Sequence, residues 1–464
     1  MILKSFDVNR AIYLLIILVV FVFLVITLLF PLFEIFKKSF QNSGGEFIFL
    51  QNFVEYLSNP NSIELIKNSL FVAVTTTTIV IPTAFIFAYA LTRSMMPFKT
   101  YIRYLALIPL LAPSLLPAIS FIYIFGNQGF LKDFMGDGSI YGAFGVIMGE
   151  CFYIFPHALM ILITALSLCD ARLYEAADSM GANNIKKFFT ITLPNAKYGL
   201  ISSVLVTFTL VITDFGVPKV IGGDFSLLAT EIYKQVIGQQ NFELGATVGV
   251  ILLIPAVITF VVDLTLQKKQ KSTMSSKSVP YRPKKAPLFD YIMLAFTVAI
   301  CLLLVFILGV AVYASFIKFW PYDLSFVLKN YNFEMMDGGG WDSYYNSLKL
   351  AIATAFFGTI IVFINAYVIE RSKIAKPMIL ALKMLSLLPM AVPGLVLGLG
   401  YIFFFNNPDN PLSFLYQGMT ILIICTIAHF FTASYITASA TIKQIDREFE
   451  DVGESLSVPF YITF

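Results

Sequence analysis

The chain has 464 residues, of which 58% are hydrophobic and 13% charged, with 31 Lys and Arg against 28 Asp and Glu for a net charge of +3. Soluble domains carry about 25% charged residues, so an ordinary soluble enzyme is excluded and a polytopic membrane protein is implied. Cys151, Cys169, Cys301 and Cys425 form no Cys-x-x-Cys pair, which leaves no metal site or disulfide framework to expect.

A span needs about 20 mostly apolar residues. About ten segments meet that length: 11–33, 68–92, 104–125, 141–168, 197–218, 244–266, 290–317, 343–369, 380–405 and 416–441. The first lacks a small-residue cleavage site and is read as a retained span. With the N-terminus in the cytoplasm, Lys and Arg gather in the inside loops at 93–103, 172–197, 268–285, 371–383 and 443–447. Acidic residues such as Glu46, Asp133, Asp224 and Asp337 crowd the outside, as the positive-inside rule requires.

The third span carries Pro109, Pro113 and Pro117, and the ninth carries Pro389 and Pro393. Proline inside a helix frees a carbonyl and kinks the chain. In a membrane this is tolerated where the backbone faces protein or a water-filled path, so these prolines are candidate pathway residues. Glu150 and His157 share one face of the fourth span, Asp214 ends the fifth and His429 lies in the tenth. Ionisable groups in spans default to a functional hypothesis, with plain packing the competing reading for each histidine. Glu150 and Asp214 join the pathway candidates. No chain of carboxylates crosses the membrane, so a proton-driven carrier lacks its relay.

Between the fourth and fifth spans lies a polar island, Tyr174-Glu175-Ala176-Ala177-Asp178-Ser179-Met180-Gly181-Ala182, followed by Ile191-Thr192-Leu193-Pro194. Residues 173–180 suit a short helix. Ala176 and Ala177 add almost no side chain, so its backbone can lie deep in another protein's groove. Gly181 can take positive φ and turn the chain. Ile185, Phe188, Phe189, Ile191 and Leu193 form an apolar stripe expected to pack back under the spans, and Pro194 suits a helix start.

The segment 267–289 is polar, basic and proline-containing, and reads as a cytoplasmic tether. It separates a first half, 1–266, from a second, 290–464. Asn68-Ser69-Leu70 recurs as Asn346-Ser347-Leu348, Ala88-Tyr89 as Ala366-Tyr367, and Arg93-Ser94 as Arg371-Ser372, all at one spacing. Leu107-Ile108-Pro109 to Pro113 recurs as Leu387-Leu388-Pro389 to Pro393. Matches in order at nearly one offset argue for duplication, and an even number of membrane crossings from the second span to the eighth makes the repeat parallel. A second polar island follows the tenth span with Asp451, Gly453 and Glu454 in degraded form. Two further spans would complete the second half, so a truncated record is expected.

Glu175-Ala176-Ala177, three residues, Gly181, nine residues, Ile191, one residue, Leu193-Pro194 resembles the cytoplasmic signature loop of ABC importer permeases. The fused, tandem members of the iron(III) and 2-aminoethylphosphonate group are the similar ones. The resemblance implies an all-α polytopic membrane protein, a tandem parallel repeat of MetI-like type with about ten spans present and the last two missing. It implies ATPase coupling by Glu175, Ala176, Ala177, Asp178 and Gly181, and by Asp451, Gly453 and Glu454 in the eroded copy. It implies two ABC ATPase copies and an extracytoplasmic solute-binding protein as partners, in the bacterial inner membrane. The sequence has no Gly-x-x-x-x-Gly-Lys-Ser/Thr loop. No cofactor is therefore expected on this chain, and ATP and Mg belong to the partner ATPase.

Thr213-Asp214-Phe215-Gly216-Val217-Pro218-Lys219 and the Ala229–Gly238 run are similar to the phosphonate branch, and Asp214 with Lys219 could meet both ends of a zwitterion. An organophosphonate is thus the expected cargo. Iron(III) is the alternative, and a secondary carrier with parallel repeats is the second alternative.

Overall fold

The computed structural model describes residues 2–273, 279, 281–335, 339–372 and 374–445, with 448, 452 and 455. Asp451, Gly453 and Glu454 of the second polar island lie outside the described residues, as do Lys277 and Asp337. Among the described residues eight helices are long and apolar enough to cross a membrane, or up to ten when each of two bent helix pairs is taken as one span. Among the described residues the fold is all-α apart from a short antiparallel hairpin, Ile317–Phe319 with Asp323–Phe326, and an isolated bridge between Gln41 and Phe47.

The helices form two packing units. One gathers Met1–Phe53, Asn241–Leu253 and Phe333–Phe464; the other gathers Val54–Gln240 and Ile254–Asn332. These units are a different partition from the sequence repeat. The first span packs with the second repeat, and the Pro287–Ser315 helix packs with the first.

In the unit built on the first repeat, helix Pro60–Arg93 starts where Asn59 caps it, its side chain accepting from Asn61 N at 3.0 Å, with Pro60 in the first turn. It packs on Ala143–Ser167 and Leu193–Thr213. Phe87 and Phe155 meet edge to face at 5.6 Å. Gly199 lets two of these helices close: a Cβ there would lie 2.2 Å from Ala165 Cβ, the small-residue contact that helix packing in lipid depends on. In the other unit Gly340–Arg371 and Met419–Gln444 pair in the same way, around Val362, Ala366, Phe431 and Tyr435, and Val20 and Leu24 of the first span join that core.

The proline segments do more than kink. Lys99–Leu111 and Leu115–Phe125 meet at 97°, and Lys376–Ala391 and Gly394–Phe405 meet at 113°. Pro109 and Pro389 each sit buried in a 3-10 turn before the break, while Pro113 and Pro393 stand at the break itself. Both bent pairs begin from a left-handed, non-glycine residue, Phe98 at φ 60° and Ala375 at φ 51°. The duplication is therefore visible in the backbone as well as in the residues.

Candidate functional site

The polar island folds as expected into a short helix, Ala171–Ser179. Asp170 caps it, accepting from Arg172 N at 3.1 Å. Gly181 ends it at φ +70° with open space where a Cβ would be, so the glycine answers a backbone need. Pro194 stands in the first turn of the next helix.

The two alanines do different things. Ala176 is exposed, as is Glu175, whereas Ala177 is buried with Cys169, Tyr174 and Ile191. Ala177 thus contributes to the chain's own packing, while Ala176 lies on the exposed face. Residues three and four apart share a helix face, so Ala177 falls with the buried Tyr174 and Ala176 falls outside that stripe. The apolar stripe also divides. Ile191 is buried and Phe188 packs edge to face on Phe85 and Tyr89, but Ile185 and Phe189 are exposed, together with Leu173 and Met180. The outward surface of the loop therefore carries Glu175, Ala176 and four apolar side chains.

Arg93 anchors the loop. It is 7% exposed, and its Nη2 donates to Leu166 O at 2.8 Å and Tyr174 Oη at 3.4 Å. The Tyr174 hydroxyl in turn bonds Thr192 Oγ1 at 2.8 Å. Tyr281, from the segment read as a cytoplasmic tether, packs tilted against Tyr174 with ring centroids 4.5 Å apart and lies under the Arg93 guanidinium at 4.7 Å. Ala171 N donates to Val279 O at 2.9 Å. Asp178 pairs with Lys187, and with Lys284 at 2.7 Å. Those two ammonium groups hold its carboxyl down, to about 2. The tether is thus strapped across the short helix. Composition gave no sign of this, because Ser, Lys and Pro suit a solvated linker equally well.

The pathway candidates of the first repeat converge. Gly216 lies against the proline break: a Cβ there would sit 2.4 Å from Ser114 Oγ, next to Pro113. Gly149 lies against Val217, at 2.6 Å for its would-be Cβ. Glu150 follows Gly149 and is fully buried, with the Asp214 carboxyl beside it. Asp214 Oδ2 accepts from Val217 N at 2.9 Å and so holds the turn into helix Gly216–Ile221. Lys219 covers the Tyr233 ring at 4.5 Å. Asp214 and Lys219 are each engaged locally, and no bond pairs them among the described residues. In the second repeat the break meets a histidine instead, with a Cβ on Gly394 placed 3.1 Å from His429 Cε1. His157 packs on its own helix, Nδ1 lying 3.2 Å from Tyr153 O.

Residues 80–271, which run from the second span through this loop to the end of the sixth span, match the family described as binding-protein-dependent transport system inner membrane component. The ferric transport system permease protein FbpB of Actinobacillus pleuropneumoniae is 28% identical over 476 residues, covering 97% of this chain and 66% of that protein. A second FbpB relative, from Haemophilus influenzae, is 28% identical over 463 residues, covering 95% of this chain and 70% of its own. The chain therefore spans about two thirds of the length of these permeases. A solved bacterial ABC transporter involved in the import of the acidic polysaccharide alginate has a chain 13% identical to this one, covering 59% of it and 99% of that chain at a TM-score of 0.46.

Proposed function

We propose that this chain is the membrane permease of an ATP-driven importer, moving a small solute delivered by an extracytoplasmic binding protein. The carrying observation is the loop Ala171–Thr192: a capped helix with a left-handed glycine stop, an outward face of Glu175, Ala176, Leu173 and Met180, and an anchor in Arg93 at the ends of two spans. A surface of that kind converts a push from an ATPase into movement of the spans. ATP and Mg would be held by the partner, and the N-terminus would lie in the cytoplasm with the loop.

Iron(III) is the cargo we favour. The names of the two FbpB relatives support it, and the zwitterion argument for an organophosphonate weakens once Asp214 caps a turn and Lys219 covers Tyr233. The buried Glu150 with Asp214 beside it supplies hard oxygen donors on the first repeat's path. Proteoliposomes holding the permease, its ATPase and its binding protein should take up iron(III) only with ATP. Uptake driven by a proton gradient without ATP would turn the reading to a secondary carrier, and ATP-driven uptake of 2-aminoethylphosphonate with no iron flux would restore the phosphonate branch.

A further inference from the structure

A cavity of about 360 Å³ opens beside the coupling loop, within the unit built on the first repeat. That volume falls within the range of about 300–1,000 Å³ usual for small-molecule sites. Three cations line it: Arg93 from the end of one span, and Lys99 and Arg103 from the short helix Lys99–Leu107. No lining residue is acidic. Thr100 and Ser167 add hydroxyls, and Leu91, Ile163 and Pro283 supply apolar wall.

Arg93 spends its Nη groups on Thr92 O, Leu166 O and Tyr174 Oη, but the three cations keep further donors for an outside partner. Arg93 is 7% exposed, yet its Nε has no hydrogen-bond partner among the described residues. Arg103 is exposed and has no ion pair or hydrogen bond among them. Lys99 donates to Ser94 O and lies near Asp290, whose carboxylate is taken up by Met95 N at 2.7 Å and Ala286 N at 3.1 Å. Three positive groups around a partly apolar cavity at the end of membrane helices form a match for a phosphate carried on a lipid. Arginine suits it in particular, because its planar fork meets two phosphate oxygens at once.

We infer that this cavity binds a phosphate-bearing anion, either the headgroup of an anionic phospholipid or a soluble phosphate, through Arg93, Lys99 and Arg103. Tyr281 lines the cavity on one side and packs on Tyr174 of the coupling helix on the other. An occupant therefore braces the strap that holds the loop. The inference goes beyond the transport reading and is tested without ATPase or cargo.

The test is native mass spectrometry of the full chain in neutral detergent, titrated with phosphatidylglycerol or phosphatidylcholine. The wild type should retain phosphatidylglycerol in preference to phosphatidylcholine. Lys99→Gln with Arg103→Gln should weaken that retention about tenfold, and Lys132→Gln should leave it unchanged. Arg103→Gln alone, at an exposed position, keeps the test available if the double variant misfolds, and should give a smaller loss of the same sign. Displacement of the lipid by inorganic phosphate assigns the site to a soluble anion; retention in its presence assigns it to lipid. Equal phosphatidylglycerol retention by wild type and folded variants, or equal retention of the two lipids by wild type, overturns the inference.

Discussion

Arg371 repeats in the second half the bond that Arg93 makes in the first. Arg93 Nη2 donates to Leu166 O at 2.8 Å, and Arg371 Nη2 donates to Ile442 O and Ile445 O, both at 2.7 Å. Each guanidinium is buried at the end of its own span and satisfies carbonyls at the C-terminus of the helix that leads into a polar island. Leu166 O also accepts from Cys169 N at 3.4 Å and Ile442 O from Ile445 N at 3.2 Å, so each guanidinium adds a second donor at a helix end, where a cation also suits the helix dipole. The pair fixes where each loop leaves the membrane helices.

Arg93→Gln should therefore loosen the first loop. A hydrogen bond to a charged group is worth about 1.5–3 kcal/mol, and the ring stack with Tyr281 is lost with it. Hydrogen exchange over 171–181 should quicken in Arg93→Gln and stay unchanged in Arg371→Gln. Equal protection in both variants would remove Arg93 as the anchor.

The repeat was legible because short matches recur at nearly one offset, and its backbone consequence, paired proline breaks, followed in kind. The size of the bends was not legible: a proline predicts a lost hydrogen bond, and packing decides the direction of the chain beyond it. The left-handed Phe98 and Ala375 gave no signal either, since the residue type most at home there is glycine. The short helix was readable from Asp170, the alanines and Gly181, but which alanine faces inward depends on packing against Cys169, Tyr174 and Ile191. Tyr281 and Lys284 were hidden in a basic stretch that charge bias alone explains.

Ala176 and Ala177 separate docking from folding. Ala177→Arg places a charge in a buried cluster and should lower the melting temperature in detergent, since burying an unpaired cation costs several kcal/mol. Ala176→Arg should melt like the wild type and fail to capture the ATPase in a pull-down. Normal capture by Ala176→Arg would mean that the outward face is not the coupling surface.

Gly181 should respond to backbone strain rather than to bulk. At φ +70° with nothing near its Cβ position, Gly181→Ala should cost about 1 kcal/mol and Gly181→Asn less, because asparagine tolerates the left-handed region. Thermal unfolding of the two variants decides it, and a Gly181→Asn penalty larger than that of Gly181→Ala would contradict the account.

The strap should release in acid. Asp178 is held from its ordinary 3.8 down to about 2 by Lys187 and Lys284. A depressed carboxyl stabilises the folded arrangement above its unfolded value and loses that contribution as pH falls through the folded one. Exchange protection around 279–284 should hence be level from pH 8 to about 5 and decline below about 4. Asp178→Asn should show the acid pattern at neutral pH. Loss of protection between pH 8 and 6 would point to a different group.

Gly216 and Ser114 should behave as a coupled pair. A Cβ at Gly216 would meet Ser114 Oγ at 2.4 Å and Leu115 Cδ2 at 3.4 Å, so Gly216→Ala forces the proline break away from the Asp214 turn. Overpacking of this kind costs about 1–3 kcal/mol. Ser114→Gly alone should be mild, because it removes the obstructing hydroxyl and leaves Pro113 in place. The double variant should then recover most of the stability that Gly216→Ala loses, giving a favourable coupling energy in a double-mutant cycle read by thermal unfolding. Solute uptake by the reconstituted importer should follow the same order, with Gly216→Ala slowest and the double variant restored. Additive effects of the two substitutions would show that the break and the turn move independently.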